Sequence, residues 1–250
     1  EEGTTILSAA SAAKMPVPSL CYLKDINEIG ACRVCVVEIK GVSRLVTACN
    51  NVVQEGMEIL TNSPRVREAR RTNVELILSQ HNSSCTSCVR GGNCSLQRIA
   101  NDLGIYASEY KKDIPKRQWP IEFPLIRDAS RCIKCMRCVQ ICDKVQDLHI
   151  WDIVKTGSRA TVGVTHNLQI TQSDCAICGQ CLTHCPTGAL RERDDTLQLL
   201  SMQGAFADPD KVTIVQVAPA VRSAWAEEPG LDPEEATPGR LVAALKALGF

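Results

Sequence analysis

The chain has 250 residues, and its 28 Lys plus Arg are matched by 28 Asp plus Glu, which leaves no basic footprint for nucleic acid. No run of ~18 apolar residues is present, so no membrane span is expected. Phe, Tyr and Trp number three each and advertise no single large core, whereas fifteen cysteines dominate the composition.

An odd cysteine count, mostly in C-x-x-C spacings too close for ordinary bridging, argues against a secreted disulfide framework. Reduced thiols in a reducing compartment, the cytoplasm, are the better account. Metal–thiolate bonds would then supply much of the folding energy. The chain starts at Glu1-Glu2-Gly3 without Met, which leaves an upstream stretch, including a cleaved targeting signal, open.

Residues 1–65 read as a small α/β module. Thr4 or Thr5 caps a short helix through Ala13, which Met15-Pro16-Val17-Pro18 ends. Arg33–Lys40 and Arg44–Ala48 are β-rich and separated by Gly41, the pattern of a hairpin. Residues 66–113 form the next module. From Pro64 to Gln80 the apolar positions Val66, Ala69, Val74, Ile77 and Leu78 predict an amphipathic helix that delivers His81 at its end. A compact helical cap is expected over 85–112.

Ile114–Pro124, with Pro115, Pro120 and Pro124, reads as an extended connector, and Lys111-Lys112 with Lys116-Arg117 as a solvated linker face. Within a third module, 114–208, Cys132–Cys142 is repeated as Cys175–Cys185. The insertion between the halves, with Trp151 and Gly157, predicts an elaborated hairpin. In 209–250, Val212–Val217 is β-like and Gly239–Leu248 helix-like, as in the start of an α/β domain.

Three ligand groups follow from the spacings. Cys21, Cys32, Cys35 and Cys49 give C-x10-C-x2-C-x13-C, four thiolates suited to a [2Fe–2S] centre. Four cysteines can equally bind zinc, and this spacing alone leaves that open. His81, Cys85, Cys88 and Cys94 give H-x3-C-x2-C-x5-C, in which a histidine, a residue more often structural or on the surface when alone, precedes three cysteines that lack a fourth ligand. A one-His, three-Cys [4Fe–4S] site is what the resemblance given below implies. A neutral imidazole in place of a thiolate should raise the potential, as it does in Rieske centres, and its second nitrogen needs an outer partner. His149, His166 and His184 lack such company.

Cys132, Cys135, Cys138 and Cys142 are followed by Cys175, Cys178, Cys181 and Cys185-Pro186, the doubled C-x2-C-x2-C-x3-C signature of two-cluster ferredoxins. The fourth cysteine of each run crosses over in that signature. One [4Fe–4S] centre is thus expected on Cys132, Cys135, Cys138 and Cys185, the other on Cys175, Cys178, Cys181 and Cys142. Asp143 stands where proline often follows. Fifteen cysteines and His81 make sixteen ligands for one [2Fe–2S] and three [4Fe–4S] clusters, and none is left over.

The loop Gly30-Ala31-Cys32-Arg33-Val34-Cys35 and the histidine site resemble the front of complex I large subunits and of iron-only hydrogenases. Retention of all eight cysteines in the doubled motif resembles the hydrogenases and some formate dehydrogenase relatives more closely. Val215-Gln216-Val217-Ala218-Pro219-Ala220-Val221-Arg222 and the 239–250 run resemble the entry into the hydrogenase catalytic domain. The resemblance implies a modular α+β fold. A β-grasp [2Fe–2S] ferredoxin domain would cover 1–65, and a helical His/Cys3 [4Fe–4S] domain 66–113. A bacterial-type 2[4Fe–4S] ferredoxin domain would cover 114–208, and a partial α/β segment 209–250.

It further implies an oxidoreductase component, the electron relay of a multi-subunit, NAD(P)-linked or electron-bifurcating hydrogenase. The hydrogen-activating site would lie outside these residues, and no catalytic residue is named. No G-x-G-x-x-G or Walker loop appears, so flavin and NAD(P) would sit on partner subunits. Other iron–sulfur subunits, ferredoxin and a separate hydrogenase catalytic subunit are the remaining candidate partners. The alternatives are a relay of a formate dehydrogenase, bifurcating transhydrogenase or complex I-like enzyme, and a ferredoxin-type carrier or docking module.

Overall fold

Thr5 opens the chain's first element in the computed structural model, which describes residues 3–107, 109–114, 117–201, 204–227 and 230–250. Glu1, Glu2, Pro115 and Lys116 of the expected start and connector lie outside the described residues. The Thr5 side chain accepts from the Ser8 backbone at 3.2 Å and starts α1 (Ile6–Ala12). β1 (Val36–Ile39) then pairs antiparallel with β2 (Val46–Thr47) on one side and β3 (Ile59–Leu60) on the other. The hairpin read around Gly41 is thus β1–β2. Ile6, Leu7, Val17, Val37, Ile39 and Ala48 pack beneath it with Cys35 and Cys49.

α2 (Pro64–Ser79) starts on Ser63, whose hydroxyl accepts from the Val66 amide at 3.3 Å, with Pro64 in the first turn. Its inward stripe is Val66, Arg70 and Val74, four residues apart. A short 3-10 turn at Cys85–Ser87 and α3 (Ser95–Asp102) follow. Val74, Leu96, Ile99 and Ala100 share one core with Leu20, Cys21, Cys32 and Cys135, so apolar burial joins stretches far apart in sequence.

β4 (Leu125–Arg127) pairs antiparallel with β7 (Leu190–Glu192), closing the repeated region at its two ends. Between them lie α4 (Arg137–Lys144), the hairpin of β5 (Trp151–Val154) and β6 (Thr161–Val164), and α5 (Gln180–Thr183). Gly157 turns that hairpin at a positive φ of 62°. Leu125, Ile141, Ile150, Trp151, Val162, Ile170 and Leu190 form the core here.

Glu1–Arg193 makes one compact unit and Asp194–Phe250 another. The second holds α6 (Thr196–Leu200), α7 (Pro219–Ala224) and α8 (Pro238–Leu248). Thr237 caps α8, and Phe250 packs edge-on against Phe206 at 4.8 Å. Contrary to the β-like pattern of its residues, Val212–Val217 forms no strand: among the described residues nothing pairs with it, and Val212 and Ile214 are almost fully exposed. β-propensity needs a neighbouring strand to act. No helix among the described residues is long and apolar enough to cross a membrane.

Candidate metal centres

Four buried thiols, Cys21, Cys32, Cys35 and Cys49, meet between β1, β2 and the loops before them. Hydrogen bonds from Cys32 and Cys49 pull Cys21 down to about 2, and one from Cys49 brings Cys35 down to about 7. Cys32 and Cys49 are pushed up, first by those same contacts and then by burial. Four thiolates cannot share so dry a space without a cationic body to compensate them.

α2 clamps this loop from below. The buried Arg70 guanidinium donates to the carbonyls of Val34 at 3.0 Å, Val36 at 3.1 Å and Thr61 at 3.2 Å. Burial lowers its pKa, and the neighbouring Cys35 opposes that. One turn on, Asn73 Nδ2 donates to the Arg33 carbonyl at 2.7 Å. Neither residue was singled out from the sequence. The signal was there: a charged residue midway between Val66 and Val74, on the stripe that faces the core.

His81 follows α2 and is buried. Its pKa is lowered to about 4, chiefly by burial and next by the charge of Arg131, so the ring is neutral at pH 7. Nδ1 is buried with no hydrogen-bond partner, and a contact with the Arg131 backbone opposes the lowering. His81, Cys85 and Cys94 line one cavity of 510 Å³ with Leu78, Leu96 and Ala100. Cys88 is not on that wall. Its sulfur faces the loop after Cys185, where a methyl group on Gly188 would stand 2.8 Å away.

The eight remaining cysteines divide between two places. Cys142, Cys175, Cys178 and Cys181 line an apolar cavity of 230 Å³ with Ile141, Leu148, Ile150 and Trp151. Cys132, Cys135, Cys138 and Cys185 line a smaller void of 20 Å³. Burial pushes Cys135 and Cys181 up to about 12 and raises Cys138 and Cys142. A Trp151 hydrogen bond eases Cys181 downward. The hairpin insertion therefore brings an indole to one centre, held by Trp119 stacked at 5.8 Å.

The loops carry the clearest mark of a cofactor cradle. Lys134 and Met136 in one half, and Ile177 and Gly179 in the other, all have positive φ, at matching places in the repeat. Arg33, between Cys32 and Cys35, does the same. Glycine takes this conformation freely, but each of the others stores on the order of 1–3 kcal/mol, and β-branched Ile177 is an outlier. Such left-handed turns aim successive N–H groups into a concavity, the arrangement that holds anionic iron–sulfur groups. The thiol-rich donor sets, the cradles and the orphaned His81 Nδ1 fit such clusters. Among the described residues, no three or more His, Cys, Asp or Glu converge on a single metal ion, and a multi-iron body spreads its ligands wider.

The other histidines lie elsewhere. His149 contacts Asp143 and Asp147 at the surface, and His184 Nδ1 lies 2.8 Å from the Gln180 carbonyl.

Four family models match the chain in succession. They are a 2Fe-2S iron-sulfur cluster binding domain (1–64) and the NADH-ubiquinone oxidoreductase-G iron-sulfur binding region (70–109). A 4Fe-4S dicluster domain (131–189) and the C-terminal domain of the iron only hydrogenase large subunit (211–250) follow. The chain is 40% identical, over its full length, to NADP-reducing hydrogenase subunit HndD of Solidesulfovibrio fructosivorans, and 30% identical to iron hydrogenase 1 of Clostridium pasteurianum. In both cases it spans 43% of the relative. It is 37% identical to NADPH-Fe(3+) oxidoreductase subunit alpha of Geobacter sulfurreducens, over 75% of this chain and 22% of that one. Among solved structures, an NAD+-reducing [NiFe]-hydrogenase in the H2-reduced state matches with a TM-score of 0.71 at 29% identity. The match covers 77% of this chain and 82% of that one.

Proposed function

Because this chain belongs with the N-terminal iron–sulfur region of iron-only hydrogenase subunits of the NAD(P)-linked kind, related to the front of complex I large subunits, we propose that it is the electron relay of a multi-subunit hydrogenase. Electrons would pass between a hydrogen-activating site that these residues do not supply and flavin- or NAD(P)-binding subunits or ferredoxin. The working compartment on this reading is the cytoplasm.

The modules are read as a β-grasp [2Fe–2S] domain (1–65), a helical His/Cys3 domain (66–113), a two-cluster ferredoxin domain (114–208) and a segment (209–250) that is helical, without a strand, among the described residues. One [2Fe–2S] cluster would sit on Cys21, Cys32, Cys35 and Cys49. Three [4Fe–4S] clusters would sit on His81, Cys85, Cys88 and Cys94; on Cys132, Cys135, Cys138 and Cys185; and on Cys142, Cys175, Cys178 and Cys181. Bound clusters supply one-electron carriage between fixed points. The chain's own groups set the terms: thiolates anchor, loop amides and the Trp151 indole direct N–H dipoles at sulfur, and Ile141, Leu148 and Ile150 exclude water.

The observation that carries this reading is the division of eight cysteines between two cavities along the crossing pattern. NADPH-Fe(3+) oxidoreductase subunit alpha matches over 75% of the chain, and the hydrogenase-like 211–250 segment favours the hydrogenase reading over a relay of that kind. The test uses the native assembly. His81→Ala should remove or alter one [4Fe–4S] EPR signal, keep the other centres and slow H2-dependent NAD(P) reduction. An unchanged spectrum with unchanged iron would overturn the assignment.

A further inference from the structure

Asn27 is completely buried, and its side-chain amide makes two long-range hydrogen bonds. Nδ2 donates to the Cys21 carbonyl at 2.7 Å and to the Cys135 carbonyl at 2.9 Å, 108 residues away in sequence. Both amide hydrogens are thereby used on the backbones of cysteines from different groups. The orientation is set by these partners: turned over, Oδ1 would face two carbonyl oxygens. In the orientation adopted, Oδ1 is buried with no partner. An orphaned buried acceptor destabilises a fold, so a residue chosen for stability alone would not be an asparagine here.

The surrounding loop is tied down separately. Leu23 and Asn27 bond each other's backbones at 3.1 and 2.8 Å. Arg137 of α4 donates to the Cys21 and Tyr22 carbonyls at 3.3 and 2.9 Å, and Lys144 to the Ile26 carbonyl at 2.8 Å. Docking of the 21–27 loop onto α4 therefore has its own bonds. What Asn27 adds is a direct link between one backbone that leads to the Cys21 sulfur and another that leads to the Cys135 sulfur.

We propose that Asn27 is a positioning residue for electron transfer between the Cys21/Cys32/Cys35/Cys49 centre and the Cys132/Cys135/Cys138/Cys185 centre. It fixes their separation and completes a route from sulfur to sulfur made only of covalent bonds and two hydrogen bonds. One electron leaves one centre, which is oxidised, and reduces the other. No proton crosses, because both carbonyls only accept and the amide keeps its hydrogens. The proposal rests on the ligand reading above.

The test compares the iron-loaded full chain with Asn27→Leu, which keeps the volume and removes both donors, and Asn27→Ser, which is small enough to fit if leucine does not. Lys144→Met is the control, since it loosens the same loop without touching the bridge. Iron content and each centre's own EPR signal are recorded first. Electron transfer between the two centres is then followed after flash reduction. Both Asn27 variants should retain iron and signals, while the intercentre rate falls about tenfold, within the range by which residues between coupled sites change their coupling. Lys144→Met should leave the rate unchanged. An unchanged rate in an iron-replete Asn27 variant overturns the proposal, as does an equal fall in Lys144→Met. Loss of iron in both Asn27 variants makes Asn27 a folding residue and overturns it too. Absence of the two signals from the unsubstituted chain would instead overturn the ligand reading, and the proposal with it.

Discussion

Replacing Arg70 with methionine removes a buried guanidinium from three backbone carbonyls at 3.0, 3.1 and 3.2 Å while roughly keeping the side chain's bulk. Each lost bond is charge-assisted, and the Val34 and Val36 carbonyls are left in a dry place, so the expected destabilisation is about 3–5 kcal/mol. The same change removes the positive charge beside Cys35, which should lower the potential of the centre held there. Arg70→Lys separates the two effects. It keeps the charge but not the three-way geometry, so stability should fall while the potential stays near its original value. Urea unfolding of the iron-loaded chain, read by visible circular dichroism, gives the first quantity. An EPR-monitored redox titration of the [2Fe–2S] signal gives the second. A loss below about 1 kcal/mol in Arg70→Met, or a potential that stays put or rises, would contradict these two roles of Arg70.

Two further outcomes follow from the site chemistry. His81 has a pKa of about 4 in the folded chain against 6.5 ordinarily, so the unfolded chain binds the extra proton first as the pH drops. Stability should be complete above pH 6.5 and decline as the pH falls toward 4, by about 3 kcal/mol in all. Urea midpoints between pH 7 and 4, compared with His81→Asn, check this, and identical profiles would contradict it. Trp151→Phe keeps the stack on Trp119 but removes the N–H directed at Cys181. The centre of Cys142, Cys175, Cys178 and Cys181 should fall in potential by about 40 mV, equivalent to one net hydrogen bond of about 1 kcal/mol. A redox titration in which no [4Fe–4S] centre shifts would count against it.

What the sequence made legible was the part written in local spacing. The α2 stripe through Val66 and Val74, the β1–β2 turn at Gly41 and the Trp151–Gly157 hairpin each depend on residues a few positions apart. The cysteine spacings are local in the same way. Asn27 was not, because its meaning lies in one carbonyl six residues away and another 108 residues away. Nor were the left-handed turns at Arg33, Lys134, Met136 and Ile177, since no glycine marks them and the loop imposes a conformation those residues resist. Val212–Val217 failed in the opposite sense: its β-propensity is strong, but a strand requires a partner, and none pairs with it among the described residues.

Four clusters on sixteen ligands fix an iron stoichiometry that can be counted. Native protein purified without air should contain roughly 14 iron atoms per copy of this 250-residue region, one [2Fe–2S] and three [4Fe–4S] centres, each distinguishable by Mössbauer and EPR spectroscopy. Any iron belonging to further domains would be counted apart by expressing and reconstituting the region alone. A colourless protein holding zinc, or a count that plateaus near 10 with no histidine-dependent signal, would contradict the account.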